Sequence, residues 1–220
     1  MPVYNEKNTL LSIVQRVSEV PISKEIILVD DGSNDGTREL IREHLGQRPD
    51  VRVIFHSKNL GKGGAIRTGI GAASGEWTLI QDADLEYDPK DYLSLLRAAD
   101  GGTVNVVYGS RFLSGKRVTS FWHRRVNGFL TGLTNLLFGA KLTDMETCYK
   151  LFRTPLLKAL SLRSDGFEIE VELTAKTLKR HEKIAEVPIS YQGRSFHEGK
   201  KIGWQDGLKA VYYLFCHRLS

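Results

Sequence analysis

The sequence predicts an α/β protein whose central sheet is mostly parallel and flanked by helices. Short runs rich in β-branched residues recur through residues 1–110, and each run ends in turn-forming residues. Helical patterns of apolar residues lie between these runs. Because parallel strands cannot be joined by a tight turn, this alternation favours right-handed strand–helix–strand crossovers.

The first half supplies four predicted strands and the helices between them. The strands are EIILVD, VRVIF, EWTLI and NVVYGS, at residues 25–30, 51–55, 76–80 and 105–110. The helices are expected from an Asn5 or Asn8 cap to Val17 and over residues 37–45, 64–73 and 90–99. Asp88 and Pro89 form the start signal of the last helix, because a capping residue precedes a proline at the first helical position.

After residue 110 the pattern becomes more elaborate. We expect helices over 120–139, 167–178 and 204–219 and strands over 148–152 and 184–191. No internal repeat or low-complexity linker interrupts the chain. The sequence therefore predicts one compact unit with an elaborated second half.

The composition is that of an ordinary globular protein. The chain has 220 residues, of which 41% are hydrophobic and 26% charged, and this excludes wholesale disorder. The length suits one sizeable core rather than two independent domains. A formal charge of +5 suits an anionic partner such as phosphate, nucleic acid or an acidic bilayer, but it equally suits a role in solubility alone.

Two cysteines, Cys148 and Cys216, occur without a C-x-x-C pair or a histidine cluster. They argue against a disulfide framework or a zinc site and indicate a reducing compartment. The sequence shows no signal peptide and no run of about 18 apolar residues. If the protein acts at a membrane, we therefore expect it to be peripheral, on the cytoplasmic face.

Three carboxylates, Asp82, Asp84 and Glu86, follow the fourth predicted strand at two-residue spacing. In an extended segment they would point the same way and repel one another unless a cation lay between them. Oxygen ligands suit Mg²⁺ or Mn²⁺, which would bridge the protein to a diphosphate. The alternative is a solvated turn whose acids cap the helix that begins near Asp88.

Two further segments have both a functional and a structural interpretation. LVDDGSNDGT (28–37) places carboxylates after a buried strand, where they would accept hydrogen bonds from a base or a ribose, or form a turn that caps the next helix. NLGKGGAIRTGIGAASG (59–75) lacks the spacing of a P-loop or a dinucleotide fingerprint. Its Lys62 is a candidate for phosphate contact with a nucleotide, whereas close packing is the favoured role of its glycines.

The chain resembles the family-2 inverting glycosyltransferases in five ordered segments: PVYNE (2–6), VDDGSNDGT (29–37), NLGKGGA (59–65), DADLEYDP (82–89) and GSR (109–111). Within that family it is similar to the polyprenyl-phosphate branch, the dolichol-phosphate mannosyltransferases and their glucosyl-transferring relatives. TDMETCYKLFR (143–153) and YQGRSFHEGKKIGW (191–204) look like later motifs of that branch.

The resemblance implies a GT-A fold in one domain, with residues 1–110 binding the nucleotide-sugar and residues 111–220 the acceptor. It also implies a divalent cofactor, Mg²⁺ or Mn²⁺. The expected reaction is inverting transfer of a hexose from GDP-mannose or UDP-glucose to a polyprenyl or dolichyl phosphate, in cell-envelope or glycan biosynthesis.

The resemblance also assigns roles to residues. The nucleotide-sugar would contact Pro2, Tyr4, Glu6, Asp31, Asp82, Ala83 and Asp84. The metal would be held by Asp82, Asp84 and Glu86. The basic residues around the phosphates would be Arg111, Arg194 and Lys200, and Asp144 takes the position at which relatives with hydroxyl acceptors keep a base.

A phosphate acceptor is already mostly a dianion at neutral pH, since its second pKa is about 6, so it requires no strong base. Asp144 would then position the acceptor or the sugar, or only cap a turn. The alternatives are a family-2 enzyme with a hydroxyl acceptor and Asp144 as base, a nucleotidyltransferase, and a non-catalytic module that binds nucleotide-sugars. The acidic triplet argues against nucleic acid as a partner.

The predicted helix over 121–138 begins with Arg124 and Arg125. It would lie at a bilayer surface with these arginines on acceptor phosphate or anionic lipid, or else pack on the sheet as a core helix. The terminal helix carries a second apolar stripe, for which core or subunit contact is the favoured role: Trp204, Leu208, Val211, Phe215 and Leu219.

One departure from the family pattern concerns the start of the sheet. Relatives have an apolar strand before PVYNE, and here only Met1 precedes Pro2. We therefore expect a truncated first strand, an unpaired sheet edge and the loss of one wall of the nucleotide pocket.

Overall fold

The computed structural model describes residues 1–114, 121–193 and 204–219, without the side chains of 121–123 and 204–206. Its strands are β1 (Pro2–Val3), β2 (Ile26–Asp30), β3 (Val51–Phe55), β4 (Trp77–Leu79), β5 (Val106–Ser110), β6 (Lys150–Arg153) and β7 (Ile184–Pro188). Its helices are α1 (Leu10–Glu19), α2 (Thr37–His44), α3 (Gly61–Ala72), α4 (Tyr92–Asp100), α5 (Phe121–Phe138), α6 (Thr154–Ala159), α7 (Ile169–Lys179) and α8 (Trp204–Leu219).

In the described part of the chain the strands form two sheets. One has the order β1-β2-β3 and is parallel throughout. The other has the order β4-β6-β5-β7, in which β5 and β7 are parallel and β6 runs against both its neighbours. The prediction of a mostly parallel sheet flanked by helices is confirmed, and β6 is the antiparallel exception.

The helices cover the sheets with apolar faces. α1 buries Leu10, Ile13, Val14 and Val17, the stripe with helical spacing that its sequence predicted. The main core joins these residues to the strands and to α4, and it continues into α7 through Ile169 and Leu173. A second cluster joins α5, α7 and α8 around Leu130, Val171 and Leu214. α7 therefore connects the two packed regions.

The structure contains two elements that the sequence patterns did not predict. β1 has two residues, too few to show an alternating pattern, yet Pro2 pairs with Val29 and Val3 with Asp30. α6 has six residues and begins with Thr154 and Pro155 after β6. Proline near the first helical position favours that start, but one and a half turns are too short for a periodic signal.

The connection from α6 to α7 packs on the first turn of α3. Gly63 donates its backbone N–H to Asp165 O at 2.7 Å, and a Cβ on Gly63 would overlap Ser164 O. Close backbone packing is therefore the role of Gly63, as the sequence favoured, whereas a Cβ on Gly69 would make an ordinary contact with Val29 at 3.6 Å. This packing fixes the turn that carries Lys62.

Glu172 holds that connection in place from α7. Its buried carboxylate accepts hydrogen bonds from the amides of Arg163 (2.9 Å) and Ser164 (2.7 Å), and Lys176 lies 2.7 Å away. Burial acts to raise the pKa of Glu172, but Lys176 and the two amides outweigh it and lower that pKa to about 2. The ionised form therefore stabilises the fold.

We expect Glu172→Gln to reduce the free energy of unfolding by about 2 kcal/mol at pH 7, as for hydrogen bonds to a charged group. Because the folded-state pKa is depressed from 4.5, this stabilisation is present above about pH 4.5 and is lost as the pH falls towards 2. Urea unfolding at pH 7 and pH 3 measures the difference, which should shrink at pH 3. The control is Glu43→Gln, at an exposed carboxylate, and equal losses at both pH values would contradict the prediction.

Candidate active site

The acidic segment after β4 does not adopt the extended geometry that its spacing suggested. Residues 83–86 bend. Asp84 Oδ1 accepts a hydrogen bond from the Glu86 amide at 3.1 Å, and Glu86 Oε2 accepts one from the Tyr191 hydroxyl at 2.8 Å. The expectation that three side chains point the same way is therefore wrong, because the bend turns Asp82, Asp84 and Glu86 towards different partners. Ala83 is buried between the two aspartates.

Lys62 links the acidic segment to α7. Its ammonium lies 2.9 Å from Asp82 Oδ1 and 3.2 Å from Glu170 Oε1. Burial opposes the charge on Lys62, but the carboxylates of Asp82 and then Glu170 outweigh it and raise the pKa of Lys62 well above its usual value. Glu170 also pairs with the fully buried Lys150. The result is an alternating row of charges beside the end of β4.

The carboxylates of the acidic segment are of the type that binds a divalent cation, although the described residues hold no preformed metal cluster. Within the described residues, no three His, Cys, Asp or Glu side chains are grouped so as to hold a metal. Mg²⁺ is commonly held by one or two carboxylates together with substrate phosphates, and Asp82 and Asp84 supply that number. In this structure the ammonium of Lys62 occupies Asp82. The residue types of Asp82 and Asp84 fit an oxygen-liganded divalent ion, and Asp82 would have to exchange its contact with Lys62 for the ion.

Asp31 organises the loop before α3. Its carboxylate accepts hydrogen bonds from the amides of Leu60 (2.9 Å) and Gly61 (2.8 Å), and His56 Nδ1 lies 2.7 Å from Oδ1. The side chain is almost fully buried. The family resemblance predicts that Asp31 contacts the nucleoside. In the structure its carboxylate oxygens hold the glycine-rich turn in place.

The PVYNE segment joins β1 to α1. Pro2 pairs with β2, and Tyr4 is partly exposed after it. Glu6 is buried, its Oε2 accepts a hydrogen bond from Thr9 Oγ1 at 2.7 Å, and its amide donates to Thr37 Oγ1 at 3.0 Å. Glu6 therefore ties the segment to the starts of α1 and α2.

Arg111 and Asp144 form a buried ion pair. The guanidinium donates from Nε to Asp144 Oδ2 and from Nη2 to Oδ1, both at 2.7 Å, and the Arg111 amide donates to Oδ2 at 3.0 Å. The Arg111 side chain is 8% exposed and that of Asp144 is 0% exposed. The guanidinium also lies 5.2 Å from the centre of the Tyr191 ring. Both carboxylate oxygens of Asp144 thus accept hydrogen bonds from Arg111.

Glu146, two residues after Asp144, was not singled out from the sequence. Its Oε1 has no hydrogen-bond partner among the described residues. Burial, which outweighs the attraction of Lys150, raises the pKa of Glu146 to about 7. The motif TDMET contains this residue, but only the fold shows that one of its carboxyl oxygens is buried without a hydrogen-bond partner in the described part of the chain.

Two of the remaining predicted basic residues lie on α5, and the other two fall outside the described residues. Arg124 and Arg125 are exposed in the first turns of α5. Arg194 and Lys200 fall outside the described residues, so their placement at the phosphates stays a prediction. Sequence patterns also missed Glu170 and Lys150, because buried charges on a helix and a strand show no distinctive spacing.

The chain matches known proteins over most of its length. The model of glycosyl transferase family 2 matches residues 1–161. An undecaprenyl-phosphate mannosyltransferase of Micrococcus luteus is 29% identical over 92% of this chain and 86% of its own length. A polyprenol monophosphomannose synthase of Mycolicibacterium smegmatis is 32% identical over 92% of this chain and 80% of its own length.

A solved structure shares the fold. Glucosyl-3-phosphoglycerate synthase from Mycobacterium tuberculosis, in complex with Mn²⁺ and UDP-glucose, aligns with a TM-score of 0.70. The alignment covers 99% of this chain and 76% of that one at 22% identity. At this identity the similarity shows the fold alone, and it confirms the GT-A fold that the resemblance implied.

Proposed function

Since the chain belongs to glycosyl transferase family 2, we propose that it transfers a hexose from a nucleotide-sugar to a polyprenyl phosphate with inversion. A phosphate oxygen of the acceptor forms a bond to the anomeric carbon while the bond to the nucleoside diphosphate breaks. The names of the two relatives favour mannose as the sugar. We propose GDP-mannose as the donor, and glucose from UDP-glucose is the alternative.

The hydrogen bonds between Asp144 and Arg111 favour a phosphate over a hydroxyl group as the acceptor. A hydroxyl acceptor needs a base with a free oxygen within reach of its proton. Both oxygens of Asp144 are instead bonded to Arg111 in a buried, two-point pair. A phosphate acceptor is already ionised and needs no such base. The geometry thus supports a phosphate acceptor, as do the names of the relatives.

The alternating row of charges beside β4 suits the binding of the nucleotide-sugar donor. Asp82 and Asp84 would hold the divalent ion, which when bound would offset negative charge on the diphosphate. Lys62, pinned between Asp82 and Glu170, keeps a positive charge at the same place. Arg111, which directly follows β5, is held by Asp144 and lies against the Tyr191 ring, and it would thereby help to position the acceptor.

The test is a transfer assay with a matched panel of substrates. Purified protein is incubated with undecaprenyl phosphate and labelled GDP-mannose or UDP-glucose, with and without Mn²⁺. We expect label in the lipid fraction, release of nucleoside diphosphate, and an inverted anomeric linkage. Transfer only to a sugar or protein hydroxyl would instead support the hydroxyl alternative, with Glu146 as the carboxyl available to act as base. Binding without any transfer would support a non-catalytic module.

We further propose that α5 and α8 bring the protein to the bilayer that carries the acceptor. None of the described helices is long and apolar enough to cross a membrane. The two helices pack together and leave large apolar side chains exposed: Val126, Phe129, Leu136, Leu208, Tyr212, Phe215 and Leu219. Arg124 and Arg125 are exposed at the start of α5. An apolar face beside basic residues is the pattern of helices that lie in the interface of anionic membranes.

We expect the double substitution Phe129→Glu and Leu136→Glu to weaken binding to anionic liposomes at least about tenfold, because each side chain loses about 1.5–3 kcal/mol of possible burial. These residues are 62% and 81% exposed, so the folded state should tolerate the change. Liposome sedimentation measures the binding. Leu11→Glu, at an exposed leucine on α1, is the control, and equal binding of all three proteins would contradict the role of this face.

A further inference from the structure

Lys62 covers the carboxylate of Asp82. Its ammonium lies 2.9 Å from Asp82 Oδ1 and 3.1 Å from Asp82 Oδ2, so it bridges both oxygens. The two side chains are 13% and 22% exposed, which shields most of the contact from solvent. An ammonium in this position neutralises the carboxylate as a metal ion would. A divalent ion that binds Asp82 therefore competes with Lys62.

Glu170 offers the same ammonium a second position. Its Oε1 lies 3.2 Å from Lys62 Nζ, yet it is buried and accepts no hydrogen bond among the described residues. Its Oε2 pairs with Lys150, which is fully buried. Because a buried acceptor without a hydrogen bond is unfavourable, a short movement of the ammonium towards Glu170 would satisfy Oε1. Lys62 thus has two carboxylates within reach, and its hydrogen bond goes to Asp82.

The backbone around Lys62 is fixed, so a change of partner is confined to its side chain. Gly61 donates its amide to Asp31 Oδ2 at 2.8 Å, and Gly63 donates its amide to Asp165 O at 2.7 Å. A lysine ammonium is carried on a flexible four-carbon stem. It can therefore move from one carboxylate to the other while the first turn of α3 stays in place.

The charges of this row balance before any ligand binds. Lys62 and Lys150 carry the positive charges, and they are paired with the carboxylates of the row, Asp82 and Glu170. A divalent ion alone would add positive charge beside an ammonium that already neutralises Asp82. A diphosphate supplies negative charge for both the ion and the displaced ammonium. Each of the two ligands therefore makes the site more favourable for the other.

We propose that Lys62 couples the binding of the divalent ion to the binding of the diphosphate. Without ligands its ammonium occupies Asp82 and opposes the ion. When the nucleoside diphosphate binds, the ammonium turns to Glu170 and a phosphate oxygen, and Asp82 becomes available to the ion. The protein then takes up the two ligands together rather than the ion first. This inference rests on the proposed function, from which it takes the divalent ion and the donor.

The test measures the binding of Mn²⁺ and of GDP, each alone and in the presence of the other. In the parent, each ligand should tighten the binding of the other by the same factor, about 100-fold. In Lys62→Met, Mn²⁺ alone should bind at least about tenfold more tightly than in the parent, and the coupling factor should fall at least about tenfold. Electron paramagnetic resonance of free Mn²⁺ and calorimetric titration give these constants. UDP is titrated in parallel, since UDP-glucose is the alternative donor.

Two further variants separate this role from a structural one. Lys62→Gln also removes the charge but can still donate a hydrogen bond to Asp82, so it should reproduce the change in Mn²⁺ binding even if Lys62→Met folds poorly. Lys58→Met removes the charge of an exposed lysine ahead of α3 and should change the affinity for Mn²⁺ by less than about threefold. Mn²⁺ alone should raise the Tm of both Lys62 variants more than that of the parent.

The proposal is overturned if folded Lys62 variants bind Mn²⁺ alone no more tightly than the parent does, or if their coupling factor equals that of the parent. These measurements use no lipid acceptor, so they can fail while sugar transfer proceeds as proposed. If Mn²⁺ binds to none of the proteins, even with GDP or UDP, the divalent ion itself is contradicted, and the coupling role of Lys62 with it.

Discussion

Replacing Asp144 with asparagine is expected to lower the free energy of unfolding by about 3–5 kcal/mol, the cost of removing one partner of a buried ion pair. Arg111 would keep its charge in a site where its side chain is 8% exposed, with only one carbonyl oxygen in place of two carboxylate oxygens. Chemical unfolding at pH 7 measures the loss. Transfer activity should fall in proportion to the folded fraction.

Two comparisons separate this structural role from a catalytic one. The double variant Arg111→Met, Asp144→Leu removes both charges and should recover a large part of the stability, because no buried charge is left alone. The control is Asp50→Asn. Asp50 and Arg48 also form a two-point pair, but their side chains are 37% and 29% exposed, so the loss should stay below about 1 kcal/mol. A stable Asp144→Asn protein that has lost transfer would instead identify Asp144 as the base.

The elements that the sequence predicted well are those with long periodic patterns. The stripe of α1, the strand before Asp31 and the helix with arginines at its start all lie within a few residues of their predicted positions. The Asp88–Pro89 start signal is also confirmed, since Asp88 Oδ1 accepts a hydrogen bond from the Lys90 amide at 3.1 Å. In each case local chemistry and the final fold favour the same conformation.

The candidate site was less predictable because its geometry depends on contacts between distant segments. The spacing of the acidic triplet predicts convergence only if the backbone is extended, and the bend at 83–86 follows from contacts such as that of Glu86 with Tyr191, 105 residues later. The Lys62–Glu170 pair likewise joins the first turn of α3 to α7. Residue type and spacing indicated which side chains matter, whereas the partners of each one required the fold.

Replacing Asp84 with alanine is expected to reduce sugar transfer by about 10³-fold, because a ligand of the divalent ion contributes several kcal/mol of charge stabilisation. Unlike Asp82, Asp84 is not part of the Lys62 ion pair, so its removal leaves the buried charge row intact. We therefore expect Tm to change by only about 1–3 °C. Calorimetric titration with nucleoside diphosphate in Mn²⁺ should show weakened binding.

Glu86→Gln is the matched control within the same segment. Glu86 bonds to the Tyr191 hydroxyl, and the amide oxygen of glutamine can accept the same hydrogen bond, so transfer should stay within about threefold of the starting protein. Chelation by EDTA should reduce the activity of the parent and of Glu86→Gln equally and should leave the residual activity of Asp84→Ala unchanged. If Asp84→Ala and the parent showed similar transfer in Mn²⁺, or if EDTA left the parent fully active, the assignment of a divalent ion to Asp82 and Asp84 would be wrong.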